Sequence, residues 1–360
     1  MKKLLCSLPL IFGVMTAHAV VNLVFSNPVQ PTNGTAPGGL GEWNTSTVLD
    51  FTNVAPGSGD NVDMRMTITG VTTPRYRYDG SLPDYSSLPG QPEGDAGVVY
   101  TYVGGTNYGP GGLMCTMQFF AGGGTFTTPV VLPEFRLLLY DIDGETVQSE
   151  SIRVFTADGF TSYQLPGVGG TTHVAEAGGA SHLFTGPGGN VPEDDVTGAF
   201  ILNYANTGLI RLERVANTTS GNNNNGIFTG IDGDLSLIGG NTGAFDDPVD
   251  VLGAISGDVV GDDSQDLPGA TVVLKDAAGN DVDHDPNTPG VQPYTDVTDS
   301  FGVFLFTGLP PGEYQVWLVL PAGYLAVSDS DGGNPLRIGD VATVPVVPGV
   351  ETDAGEFVTE

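Results

Sequence analysis

Residues 298–325, TDSFGVFLFTGLPPGEYQVWLVLPAGYL, constrain the fold of this chain more than any other stretch. Phe301, Val303 and Leu305 precede Gly308-Leu309-Pro310-Pro311-Gly312, and Val316, Leu318 and Leu320 follow it, each set alternating with period two. That spacing predicts two strands around one turn. Pro310 presets a turn dihedral, Pro311 removes a ladder donor, and Gly308 and Gly312 accept positive φ at no steric cost.

The flanking residues extend the pattern. Ile255-Ser256-Gly257 opens it, an acidic loop runs from Asp262 to Asp266, and Pro268-Gly269-Ala270-Thr271-Val272 follows; Asp299 to Tyr314 and Pro321-Ala322-Gly323-Tyr324 close it. Over residues 250–358 this series resembles the serine-aspartate-repeat B-like domain and its relative, the B-type repeat of collagen adhesins. The resemblance implies a prealbumin-like sandwich of a bacterial surface protein, acting as a spacer or stalk, with calcium near the first loop through Asp262, Asp263 and Asp266. The loop is shorter than the family's usual Asp-x-Asn-x-Asp-Gly form, which removes ligands. The collagen-adhesin relatives imply a Lys–Asn cross-link, but Lys275 follows Leu274 on a strand and is expected to point outward, away from such a bond.

At the other end, Lys2 and Lys3 precede the apolar run Leu4 to Val14, and Ala17-His18-Ala19 follows. This is the grammar of an export leader, so residues 1–19 are read as a signal peptide cleaved before Val20. The run is too short to span a bilayer. The absence of a C-terminal apolar tail, basic anchor or sorting motif points to a secreted or cell-surface-associated protein held, if at all, by partners.

Of 11 basic residues two fall in the leader, so nine face 42 acids in the mature chain. A phosphate backbone or anionic lipid would meet a repulsive field, which argues against nucleic acid as a partner. Two readings of the acidity stand side by side: solubility in a salty exterior, and divalent-cation binding by oxygen ligands. With 54 Gly, 26 Pro and 39% apolar residues, the composition is that of an all-β chain with many turns and real cores. Cys115 is the one cysteine beyond the leader, so no intramolecular disulfide forms.

Residues 20–245 read as a large jelly-roll-like β-sandwich, and 246–360 as a smaller prealbumin/Ig-like β-sandwich, with 239–249 as linker. In Asn61 to Thr69, Val62, Met64, Met66 and Ile68 alternate inward. Leu113, Cys115, Met117 and Phe119 repeat the pattern, which makes Cys115 a buried, inert thiol. Further strands are predicted at Val98–Val103, Val130–Tyr140, Ser151–Thr156, Gly198–Tyr204, Gly208–Val215 and Ile227–Leu237, and residues 217–225 as a hairpin tip. Residues 135–159 resemble exported bacterial modules with a strand ending in Asp-x-Asp-Gly. There Asp141 and Asp143 are candidate calcium ligands, or else an Asp-Gly turn capping its own backbone.

Between Pro74 and Gly112 the periodicity breaks into a Gly/Pro-rich excursion holding Tyr76, Tyr78, Tyr85, Tyr100, Tyr102 and Tyr108, half of the chain's 12 tyrosines. Long loops on a rigid scaffold carry binding. Tyr76, Tyr78, Tyr85 and Tyr108 are candidate ligand-binding residues for a glycan or surface polymer. Catalytic motifs of the nucleophile-elbow, zinc-helix and phosphate-loop types do not occur. His173 and His182, with Glu176 in the same Gly-rich region, are read as solvated loop residues, a transition-metal site being the alternative. The expected function is therefore non-catalytic binding or adhesion; a structural surface subunit and an exported hydrolase with two facing carboxylates are the alternatives.

Overall fold

A computed structural model of the protein describes residues 20–25, 28–29, 48–57, 61–71, 76–77, 96–101, 111–145, 148–176, 179–189, 191–192, 195–218, 226–235, 242–283 and 290–360. The leader and the hairpin tip beyond Thr218 lie outside them. The described residues are all-β, with short 3-10 turns at Thr156–Asp158, Val196–Gly198 and Thr242–Ala244.

Two sheets build the first sandwich. In spatial order the nine-stranded sheet contains β1 (Pro28–Val29), β2 (Val48–Phe51), β3 (Val62–Val71), β6 (Gly111–Ala121), β14 (Leu209–Thr218), β9 (Gln148–Phe155), β12 (Ser181–Thr185) and β11 (Thr172–Glu176), with β8 (Gly144–Glu145) paired to β9. The seven-stranded sheet contains β16 (Val249–Asp250), β10 (Phe160–Gln164), β13 (Phe200–Thr207), β7 (Leu132–Tyr140), β15 (Gly226–Asp232), β5 (Ala96–Thr101) and β4 (Tyr76–Arg77). From β3 onward the chain passes repeatedly between the two sheets, as in a jelly roll. Val62, Met64, Met66 and Ile68 are buried, as are Leu113, Cys115, Met117 and Phe119, because period two places alternate side chains on the inner face. Phe119, Phe135, Tyr204 and Phe160 form a chain of ring contacts through this core.

The second sandwich pairs a four-stranded sheet, β20 (Val303–Leu309), β17 (Gly253–Gly261), β25 (Glu351–Thr359) and β22 (Ala326–Asp329), with a five-stranded one, β19 (Thr295–Val297), β18 (Thr271–Asp276), β21 (Gly312–Val319), β23 (Arg337–Ile338) and β24 (Val344–Val346). β17 and β25 pair in parallel, the chain's last strand closing beside its domain's first. Phe304, Phe306, Val316, Phe357 and Ile255 centre its core.

The expected linker is stitched to the first domain: β16 pairs with β10, and Phe245 and Val251 belong to the first core. The second core begins at Ile255. On β20 the period is as expected, and the buried phase is that of Phe304 and Phe306. Phe304 and Phe306 are buried while Phe301 is 68% and Leu305 42% exposed. Both phases are apolar, and burying the two aromatic rings removes more apolar area from water.

Candidate functional site

The tyrosine-rich excursion is anchored at a sheet edge. β4 and β5 are the outermost strands of the seven-stranded sheet, with Tyr76 opposite Tyr100 and Arg77 opposite Val99. Tyr78, Tyr85 and Tyr108 lie outside the described residues.

Asp141 and Asp143 follow β7 where the chain passes to the other sheet through β8. Asp141 has φ 55, a left-handed conformation that Asp tolerates. Asp143 is buried, and its Oδ2 accepts the Val191 N–H at 2.8 Å. The intervening Ile142 donates its N–H to Gly198 O at 2.9 Å, and a Cβ on Gly186 would lie 2.0 Å from Ile142 O. The loop over this turn therefore depends on glycine for its close approach.

Sequence reasoning missed the neighbours of this turn. Glu150 and Arg214 sit on the inner faces of β9 and β14, where Ile152, Val154, Ile210 and Leu212 keep the apolar alternation. Arg214 Nη2 stands 3.2 Å from Glu150 Oε2, both side chains nearly inaccessible. No nitrogen of that guanidinium and no oxygen of that carboxyl forms a well-aligned hydrogen bond. Burial pushes the Glu150 carboxyl up to about 8; Arg214 pulls it down, and Asp143 and Asp141 push it further up. A charged pair at a position the strand period marks as core was the available signal.

In the second domain Asp262, Asp263 and Asp266 are exposed. Asp262 donates its N–H to Thr359 O at 2.6 Å, Asp263 Oδ1 accepts the Gln265 N–H at 3.2 Å, and Asp266 bridges to Val260. The Asp258 carboxyl is raised by burial and by Asp353, Asp266 and Asp299, so this edge concentrates negative charge. A second acidic turn joins Asp331, whose Oδ2 accepts the N–H groups of Gly339 and Val341, to Asp329 and Asp340. The oxygen donors suit a hard cation. Among the described residues, however, no three His, Cys, Asp or Glu side chains are grouped to hold a metal ion, so each turn would have to complete its coordination with backbone carbonyls and water.

The histidines are not solvated loop residues. They lie on β11 and β12, and His173 Nε2 meets His182 Nδ1 at 2.8 Å. Cys115 is buried, its Sγ directed at Leu212 O, and its thiol is pushed to about 12 by burial. Asp158 lies at a turn closed by Gly159 in left-handed φ, and its carboxylate also holds the guanidinium and N–H of Arg211.

No family model matches the chain, and no curated protein matches it. Solved structures similar to it include BcpA, the major pilin subunit of Bacillus cereus, at 12% identity, covering 96% of this chain and 96% of that one with a TM-score of 0.25. The pilus 2b backbone protein of group B streptococcus is 18% identical, covering 71% and 98%, at 0.23. The N-terminal domain of a Streptococcus gordonii adhesin is 12% identical, covering 83% and 92%, at 0.38. Likeness at this level carries no argument about site or activity, and the all-β sandwich class stands on the sheets themselves.

Proposed function

We propose that this chain is a non-catalytic binding protein of the cell exterior, its first sandwich presenting a glycan- or surface-polymer-binding excursion and its second acting as stalk. The placement of the excursion carries the reading. The described strands of the excursion, β4 and β5, lie at one edge of a sheet whose strands β10, β13, β7 and β15 are packed into a core, and a rigid edge of this kind suits recognition by an adjoining aromatic segment. Tyrosine rings stack on sugar faces, and Tyr76, Tyr78, Tyr85 and Tyr108 are the residues assigned to that contact. Among the described residues the thiol of Cys115 is buried, and His173 and His182 bond to each other. The leader places the mature chain outside the cytoplasm. Calcium belongs to the same reading, with Asp141 and Asp143 the first choice of ligands and Asp262, Asp263 and Asp266 the second. A glycan-array screen of the chain from Val20, with and without calcium, tests it; an array with no retained glycan in either condition refutes it.

One observation favours a structural surface subunit as a second reading. Phe301, Leu305, Leu325 and Val327 are exposed on the second domain, Phe301 to 68%. A partner would meet the face of β20 rather than its edge, since Asp296 accepts the Leu305 N–H and Tyr294 Oη both accepts from and donates to Thr307. Sedimentation velocity decides it: concentration-dependent self-association abolished by Phe301→Ser supports this reading, and a monomer at all concentrations removes it.

A further inference from the structure

β11 and β12 form an antiparallel hairpin at the edge of the nine-stranded sheet. Its register sets His173 opposite Phe184 and Ala175 opposite His182, which puts both imidazoles on the inner face as a diagonal pair. The rings lie 15° from parallel with centroids 5.1 Å apart. A 2.8 Å contact between His173 Nε2 and His182 Nδ1 is an N–H···N bond, so one ring donates and the other must be neutral to accept. Protonating both facing nitrogens would set two N–H donors against each other.

The surroundings favour two neutral rings. Tyr163 of β10 and Phe184 pack on His173, and Phe160 packs on His182. The charged groups nearby are committed elsewhere. Glu176 of β11 accepts from Arg153 of β9 and from Ser181, Glu213 of β14 shares the same Arg153, and Asp158 holds Arg211. Arg153 stands opposite Leu183 and Glu176 opposite Ser181, on the outer face. Burial lowers the pKa of both rings, that of His173 to about 4, with His182 lowering it further; on His182 a hydrogen bond to the Gly179 backbone and then Glu176 act in the opposite direction, each by less than burial does.

The tip of this hairpin reaches the second domain. Thr156 bonds to the carbonyls of Gly179 and Ala180. Gly179, at φ +92, approaches so closely that a Cβ there would lie 2.7 Å from Pro311 Cγ. Pro311 belongs to the turn between β20 and β21.

We infer that the β11–β12 hairpin is an acid-released clasp, closed while the bonded, neutral His173–His182 pair packs on Tyr163 and Phe160 of the facing sheet and opened when both rings take up protons. Opening would free the edge of β9 and uncover Phe160 and Phe184, creating an unpaired strand edge of the kind that accepts a further strand. Because the closed form binds protons less readily than the open one, closure is complete above the ordinary histidine pKa and is lost as pH falls below about 6.5. With one proton taken up per ring, the opening equilibrium rises about a hundredfold per pH unit in that window.

Native-state hydrogen exchange on the mature chain between pH 7.5 and 4, corrected for intrinsic exchange, tests the clasp. Amides of residues 172–176 and 181–185 are expected to lose protection with a two-proton slope while those of β6 and β14 do not. His173→Phe/His182→Phe, which keeps an aromatic packing, is expected to remove the slope. Should that variant not fold, nitrogen-15 spectra of the wild-type imidazoles give the same answer: both rings neutral while the hairpin is protected and both charged once it opens. An equal slope for β11–β12 and β6–β14, or two imidazolium signals from a hairpin still protected, overturns the inference.

Discussion

Glu150→Gln is expected to change how stability depends on pH. The wild-type carboxyl lies in the core 3.2 Å from Arg214, and burial raises it from 4.5 to about 8. A group whose folded pKa lies above its unfolded one holds its proton more tightly when folded. Its contribution is full below pH 4.5 and lost as pH rises through 8. The displacement from 4.5 to about 8 corresponds to about 5 kcal/mol across that window. Glutamine occupies the same volume and does not titrate. The stability of Glu150→Gln minus that of wild type should therefore climb with pH, by up to about 5 kcal/mol between pH 4.5 and 8. Urea denaturation followed by circular dichroism at half-unit pH steps measures it, taking the transition of the first domain. A difference that stays flat from pH 5 to 8.5 would show that the carboxyl is ionised and fully paired with Arg214 throughout, and the reasoning would fail.

Gly230→Ala places a Cβ 2.0 Å from Cζ of Tyr140, a ring with no exposure; overpacking of this kind should cost about 1–3 kcal/mol in the same denaturation assay. Cys115 should resist a thiol reagent in the native protein and react with one equivalent after unfolding, since its thiol is buried and raised to about 12; rapid labelling of folded protein would contradict its placement. Millimolar calcium should raise the melting temperature more than sodium chloride of equal ionic strength, by the equivalent of about 3 kcal/mol at a hundredfold excess over its dissociation constant. Asp141→Asn/Asp143→Asn then tests the first turn and Asp262→Asn/Asp266→Asn the second, and superimposable melting curves in the two salts would remove calcium from the account.

The strands legible in the sequence were those with one apolar phase. Val62 to Ile68 put apolar side chains only on the inner face, Leu113 to Phe119 do so apart from Met114, and the structure keeps that register. β11 and β12 were missed because His173 and His182 interrupt their inner face and do not read as apolar, although His182 is buried. The inner face of β20 was not legible because Val303 and Leu305 are as apolar as their neighbours Phe304 and Phe306. The Glu150–Arg214 pair is formed by strands adjacent in the sheet but more than 60 residues apart in the chain, which no local pattern encodes. Asp143 was legible as chemistry, but not its commitment to the Val191 N–H, because that loop returns from beyond β12.

The central claim is that binding resides in the tyrosine excursion at the β4–β5 edge. The most direct measurement compares glycan-array profiles of the mature chain and its Tyr76→Ala/Tyr78→Ala/Tyr85→Ala/Tyr108→Ala variant, with melting temperatures recorded alongside. The account predicts a defined set of retained glycans that the variant loses at least tenfold, with little change in melting temperature. Retention by the variant equal to that of the wild type would place binding elsewhere and contradict it.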